Sequence, residues 1–240
     1  ERVMTPWGER AFVQAGVGTP VMVFEAGLGD GKNVWAGVFN RLSNMTRVFA
    51  YDRAGYGGSP ARNDVRSGTQ IVEELRGLLQ AAGIQAPYVL VGHSLGGTYV
   101  ELFARTYPHD VAGVILVDSR HVDFTQRCKA SGALACEPPA FLFSLMPGAA
   151  RPEFEAVSVT LQQIRESRPF PPIPLVVLTG MNKLVEGPTF NQVWLETQKE
   201  LARLSPLGRH EICTRCGHYI QRDQPDLVTN AIREMISEWR

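Results

Sequence analysis

Tyr88-Val89-Leu90-Val91-Gly92-His93-Ser94-Leu95-Gly96-Gly97 decides the fold of this chain. Its first four residues form an apolar β run, and the stretch from Gly97 to Tyr107 reads as a helix, so Ser94 falls at the turn between them. A chain that passes from strand to helix so abruptly strains the backbone of the residue at the corner. It also needs small residues two before and two after that corner. Gly92 and Gly96 are those residues. The turn raises the Ser94 hydroxyl above the sheet edge and sets the Leu95 amide beside it at a helix N-terminus, where developing negative charge is stabilised. The pattern predicts a nucleophilic serine seated on an α/β sheet.

Outward from this turn, short β runs alternate with longer helical periods. Strands are predicted over 11–15, 21–25, 47–51, 88–92, 111–118, 175–179 and 210–213, and helices over 34–42, 69–82, 98–107, 191–204 and 225–239. Most of the strand runs are almost continuously apolar, as strands buried on both faces require. The expected fold class is therefore α/β, a mostly parallel central sheet with helices on both faces. Residues 120–172 break the rhythm with Pro138-Pro139, Pro147-Gly148 and Pro169-Phe170-Pro171-Pro172. So long an insertion between two strands predicts a small helical cap, leaving 1–119 and 173–240 as one core. Phe141 and Phe143 in the cap are candidates to line an apolar substrate pocket.

Composition narrows the function classes. A chain of 240 residues accommodates one large α/β domain. Lysine plus arginine equals aspartate plus glutamate at 24 each, so no net field favours nucleic acid or an anionic membrane as partner. No apolar stretch is long enough to span a bilayer, and the sequence leaves the oligomeric state open. Cys128 and Cys136 bracket a polar segment and suit a local disulfide. Cys213 and Cys216 form a C-x-x-C that fits a second disulfide or two free thiols, and fits zinc poorly because no second C-x-x-C or histidine pair accompanies it. No metal site is expected. The cysteines, and a first residue Glu1 in place of methionine, favour a processed chain in the periplasm or outside the cell.

A serine hydroxyl is a weak nucleophile at neutral pH, so Ser94 requires a base, and the base requires a third group to orient it. The histidines are His93, His109, His121, His210 and His218. His93 points away from the hydroxyl in such a turn, His109 follows the helix and His210 opens a strand. His218, in Cys216-Gly217-His218-Tyr219 between the last strand and last helix, lies on a loop above the C-terminal strand ends, where a base belongs.

Four segments now read together: Glu25-Ala26-Gly27-Leu28-Gly29, Tyr51-Asp52-Arg53-Ala54-Gly55-Tyr56-Gly57-Gly58-Ser59, Gly92 to Gly97, and Gly217-His218-Tyr219. Through them the chain resembles the α/β-hydrolases of the serine esterase and lipase superfamily over nearly its whole length, in the order nucleophile, acid, histidine. The resemblance implies an acyl-enzyme on Ser94, His218 as base, the amides of Leu28 and Leu95 as oxyanion hole, and no cofactor or metal. It makes a small-molecule ester, of small to medium size and largely apolar, the expected partner. Asp52 and Arg53 read as a buried structural pair. In most relatives the acid lies three residues beyond a glycine that here is Gly180, and Lys183 stands there. A lysine cannot accept the imidazole N–H, and Asn182 could accept it but carries no charge. Other relatives carry the acid at the end of the preceding strand, here Asp118, which is the expected acid with Glu186 and Asp123 as rivals. An amide, lactone or carbon–carbon bond as the target, or a non-catalytic binder on the same fold, are the alternatives.

Overall fold

The computed structural model describes residues 1–133, 136–137, 141, 145, 149–182 and 187–239. Eight strands form one sheet: β1 (Arg2–Thr5), β2 (Gly8–Ala15), β3 (Val21–Glu25), β4 (Val48–Tyr51), β5 (Tyr88–His93), β6 (Val111–Val117), β7 (Leu175–Gly180) and β8 (Gly208–Cys213). Their order is β1-β2-β4-β3-β5-β6-β7-β8. The run from β4 to β8 is parallel, whereas β1 and β2 form a hairpin that joins β4 antiparallel. The five central strands β3 to β7 are buried at every position, which is why their sequences are apolar without alternation. The strand β1 was not expected from the sequence, because a short, half-exposed edge strand carries no apolar run.

Helices α1 (Ala36–Leu42), α2 (Gly68–Ala81) and α3 (Leu95–Thr106) belong to the first half of the chain. After β6 come α4 (Phe124–Ala130), α5 (Ala150–Glu155) and α6 (Val157–Glu166), then α7 (Gly187–Ala202), α8 (Ile220–Asp223) and α9 (Pro225–Trp239). On one sheet face, Leu75, Leu78 and Leu79 of α2 join Val100 and Phe103 of α3 in a core with Val23, Leu90 and Leu116. On the other, Val38 and Leu42 of α1 join Val228 and Ile232 of α9 over Met22, Val91 and Ile115. Each such side chain contributes about 1.5–3 kcal/mol by leaving water. Two apolar faces on one sheet therefore demand helices on both sides.

The segment between β6 and β7 is fastened to the core. Helix α6 packs on α2 and α3, and the Gly68 amide at the start of α2 donates to Thr160 Oγ1 at 2.9 Å. Helix α4 packs against α7 through Phe124, Phe190 and Trp194. Cys128 and Cys136 are joined as a disulfide beside this cluster, and Cys213 and Cys216 form a second across the end of β8.

The parallel registers set Glu25 level with Gly92, His93 with Val117, and Val117 with Leu178. The loops that leave β3, β5, β6 and β7 therefore emerge at one edge of the sheet. That shared edge is where the site forms.

Candidate active site

Ser94 caps α3 with φ 54° and ψ −121°, a left-handed backbone for a residue with a side chain. What holds it there is crowding that only glycine tolerates. A Cβ on Gly92 would lie 2.6 Å from the Gly96 carbonyl oxygen, and one on Gly96 would lie 2.4 Å from that of Ala26. The Ser94 amide donates to the Val117 carbonyl at 3.1 Å, and its own carbonyl accepts from the Gly97 amide at 3.0 Å, so the corner is pinned to β6 and α3. Leu95, the first residue of α3, presents its amide at the helix N-terminus, where no preceding turn supplies an acceptor.

Asp118 follows β6 directly and is likewise left-handed, with φ 44°. It is fully buried, and its carboxylate is held from two sides. Oδ1 accepts the Gly180 amide and the Trp194 indole N–H, each at 3.0 Å. Oδ2 takes His218 Nδ1 at 2.6 Å. A carboxylate only accepts, so Nδ1 carries the proton and the neutral imidazole keeps its lone pair on Nε2. The imidazole remains 39% exposed, open to a reactant.

The histidine loop is fixed by its surroundings. The Asn182 amide donates to the Cys216 carbonyl at 2.8 Å and the Met181 amide to that of Cys213 at 2.9 Å, which seats the disulfide loop on the end of β7. A Cβ on Gly180 would stand 2.0 Å from the Gly217 carbonyl oxygen, so that approach depends on glycine. His93 Nε2–H donates to the His218 carbonyl at 2.9 Å, and the two rings lie 4.6 Å apart between centroids. The residue beside Ser94 thus holds the loop of His218.

The loop after β3 closes against the corner. A Cβ on Gly27 would come within 3.2 Å of Ser94 Cβ, so Leu28 follows a point of direct approach to the serine. Leu28 packs with Leu95 and Tyr99, and neither the Leu28 nor the Leu95 amide is engaged by a loop or turn carbonyl among the described residues. Arg53 braces this loop from beneath. Its guanidinium donates to the carbonyls of Ala26 and Gly27 at 2.6 and 2.9 Å, to Glu25 at 2.6 Å, and by two bonds of 2.9 Å to Glu153 of α5. Burial alone would weaken the Arg53 charge, but Glu153 and Glu25 reverse this and hold its pKa well above the ordinary value. Burial pushes the Glu25 carboxyl up against the pull of Arg53. Asp52 and Arg53 are both buried and both brace neighbouring loops, as expected from the sequence, but through separate partners: Asp52 binds Lys32 at 2.5 Å and the Gly58 amide at 2.9 Å. Backbone neighbours on a turn point to opposite sides, and each found its own counter-charge.

A family model described as the alpha/beta hydrolase fold matches residues 20–151, more than half of the chain. The chain belongs to the alpha/beta hydrolase family. Among its relatives is the uncharacterized protein YqjL of Bacillus subtilis, 29% identical over 216 residues that cover 89% of this chain and 82% of that one. Two solved structures share the architecture. A thermophilic esterase from Thermogutta terrifontis superposes with a TM-score of 0.72 at 24% identity, covering 99% of this chain and 98% of that one. An enol-lactonase from Burkholderia xenovorans LB400 gives 0.71 at 18% identity, with 99% and 100% covered.

Ser94, His218, Asp118, Leu28 and Leu95 of this family member all lie at the shared sheet edge. Phe141 lies apart from them, 64% exposed, on the wall of a cavity of about 800 Å³ between α4, α5 and α6. Val122, Phe154 and Leu161 line the same cavity, as does Arg120, whose backbone amide donates to the Ser94 carbonyl at 3.4 Å. Phe143, Lys183 and Glu186 fall outside the described residues. Asp123 stands at the N-cap position of α4 without a side-chain capping bond and pairs with Arg165 at 2.9 Å, while the imidazole of His218 is bonded to Asp118. The sequence reading missed Trp194 and Gly180 as donors to Asp118 and Glu153 as partner of Arg53. Only the tertiary structure joins residues 62 to 100 positions apart. Among the described residues no group of three or more histidine, cysteine, aspartate or glutamate side chains suits a metal ion, and no helix is long and apolar enough to cross a membrane.

Proposed function

We propose that this chain is a serine hydrolase that cleaves carboxylic esters of small to medium, largely apolar substrates through an acyl-enzyme on Ser94. The observation that carries the reading is the 2.6 Å bond from His218 Nδ1 to buried Asp118, which orients the imidazole, and in its neutral form places the lone pair on Nε2, on a loop tied to the corner of Ser94. In the first step Nε2 takes the Ser94 proton as the hydroxyl attacks the ester carbonyl, and the amides of Leu28 and Leu95 hold the oxyanion. The imidazolium, stabilised by Asp118, then protonates the departing alcohol. In the second step His218 deprotonates water, which attacks the acyl-enzyme and frees the acid and Ser94. Each step uses groups of the chain and water. The names of the esterase and the enol-lactonase point to open-chain and cyclic esters, and both support an acyl C–O bond as the target.

Residues 120–172 are proposed as the cap, with Phe141, Phe143 and the apolar wall around Val122, Phe154 and Leu161 as the acyl or alcohol pocket. Two disulfides support residence in an oxidising compartment, periplasmic or extracellular. A series of 4-nitrophenyl esters of rising acyl length tests the reading. Turnover should peak at short to medium chains and fall by at least about 10³-fold in Ser94→Ala. Near-full hydrolysis by that variant would overturn it.

A further inference from the structure

Among the described residues, four cations face the cavity between α4, α5 and α6, namely Arg120, Lys129, Arg151 and Arg165, against the two carboxylates Glu137 and Glu155. Three of the cations have a carboxylate of their own. Lys129 holds Glu137 at 2.8 Å, Arg151 holds Glu155 at 2.8 Å, and Arg165 holds Asp123 at 2.9 Å. Arg120 is left with the far side of Glu137 at 3.5 Å and the Thr125 hydroxyl. It is also the most buried of the four, at 17% side-chain exposure against 40% or more for the others. Its Nε is buried without a hydrogen-bond partner among the described residues. Burial lowers its pKa, and Glu137 only partly opposes this.

A guanidinium stripped of water and under-paired is costly unless an anion completes it, and its planar fork matches a carboxylate by two parallel bonds. The root of this side chain is fixed beside the nucleophile, since the Arg120 amide bonds the Ser94 carbonyl. We propose that Arg120 is a specificity residue that binds a carboxylate carried by the substrate at a distance from the scissile ester. The proposal rests on the ester-hydrolase reading above and adds an anionic end to an otherwise apolar substrate. The other rim cations, each already neutralised, supply no comparable vacancy.

The test compares kcat/KM for monomethyl esters of C4–C8 dicarboxylic acids with methyl esters of matched monocarboxylic acids. A second arm compares O-acetyl esters of C4–C8 hydroxy acids with acetates of matched alcohols, so that a carboxylate on either side of the ester is covered. Wild type should prefer the charged member by about 10-fold or more at its best length in one arm, the worth of a charge-assisted bond. Arg120→Gln should abolish that preference mainly through KM, Arg120→Lys should keep part of it, and Glu137→Gln, which frees Arg120 from its competitor, should raise it. Calorimetric titration with C4–C8 dicarboxylates separates the two ideas. Arg120-dependent binding without turnover of any ester would sustain the anion site and remove the ester reading. Ester turnover with no charge preference in either arm, or a preference unchanged in Arg120→Gln, would overturn the anion site and leave the ester reading standing.

Discussion

Asp118→Asn replaces one carboxylate oxygen by an NH₂ group at a buried position that receives donors on both oxygens. Gly180 N–H and Trp194 Nε1–H share Oδ1 at 3.0 Å each, and His218 Nδ1–H meets Oδ2 at 2.6 Å. If the NH₂ turned toward Gly180 and Trp194, two buried donors would lose their acceptor at about 1–3 kcal/mol each. If it turns toward His218, the upset falls on the imidazole contact, and that is relieved when the imidazole moves its proton to Nε2 and accepts at Nδ1. The second arrangement wins, so the variant should fold with a modest loss, about 1 kcal/mol for one altered hydrogen bond. Its imidazole, however, now presents N–H to Ser94 in place of a lone pair. The expected fall in kcat/KM at neutral pH is about 10³- to 10⁴-fold, roughly 4–5.5 kcal/mol of transition-state stabilisation. Steady-state hydrolysis of a 4-nitrophenyl ester together with thermal denaturation reads both effects, with Glu186→Gln as companion. An Asp118→Asn enzyme within about tenfold of wild type, when the lost tautomer demands far more, would refute the reasoning, and all the more if Glu186→Gln were the inactive one.

Other expectations follow from the same packing. Arg53→Met leaves Glu25 and Glu153 buried without their shared cation and frees the carbonyls of Ala26 and Gly27. Urea denaturation should show a loss of about 3–5 kcal/mol, and kcat should fall more than KM rises because that loop carries the Leu28 amide. In Gly96→Ala the new methyl meets the carbonyl oxygens of Ala26 and Glu25 at 2.4 and 2.6 Å. It should cost about 1–3 kcal/mol in stability and about 10²-fold in rate by parting the serine corner from the loop after β3; a Gly96→Ala enzyme of wild-type rate would contradict that contact. Burial lowers the His121 pKa from 6.5, with Asp123 and Glu200 opposing. The unfolded chain therefore takes the proton first, so folding stability is full above about pH 6.5 and is lost as pH falls below it. Melting curves across mildly acidic to neutral pH should show a shallower decline in His121→Gln.

How much was legible in the sequence depended on how local the cause was. Strands β3 to β7 announce themselves because burial on both faces leaves only apolar residues, whereas β1, an edge strand of Arg2-Val3-Met4-Thr5, has no such constraint. The strained corner at Ser94 is written in Gly92 and Gly96, two residues away on either side. Asp118 is singled out through the family resemblance, since some relatives carry the acid at the end of this strand, and the apolar run of β6 ends on it. What surrounds these groups was not readable. Trp194 reaches Asp118 from α7, and Glu153 reaches Arg53 across 100 positions, so their meeting is a property of the assembled layers alone. The apparent pair Asp52 and Arg53 shows the converse, since adjacency in sequence on a turn sends two charges to separate partners.

The central claim is that Ser94 is a nucleophile activated by His218. It is tested most directly by intact-mass and peptide mapping after exposure to a fluorophosphonate. The account expects one adduct per chain, on Ser94, abolished in Ser94→Ala and slowed by orders of magnitude in His218→Ala. An adduct on another residue, or ester hydrolysis that continues with Ser94 unmodified, would contradict it.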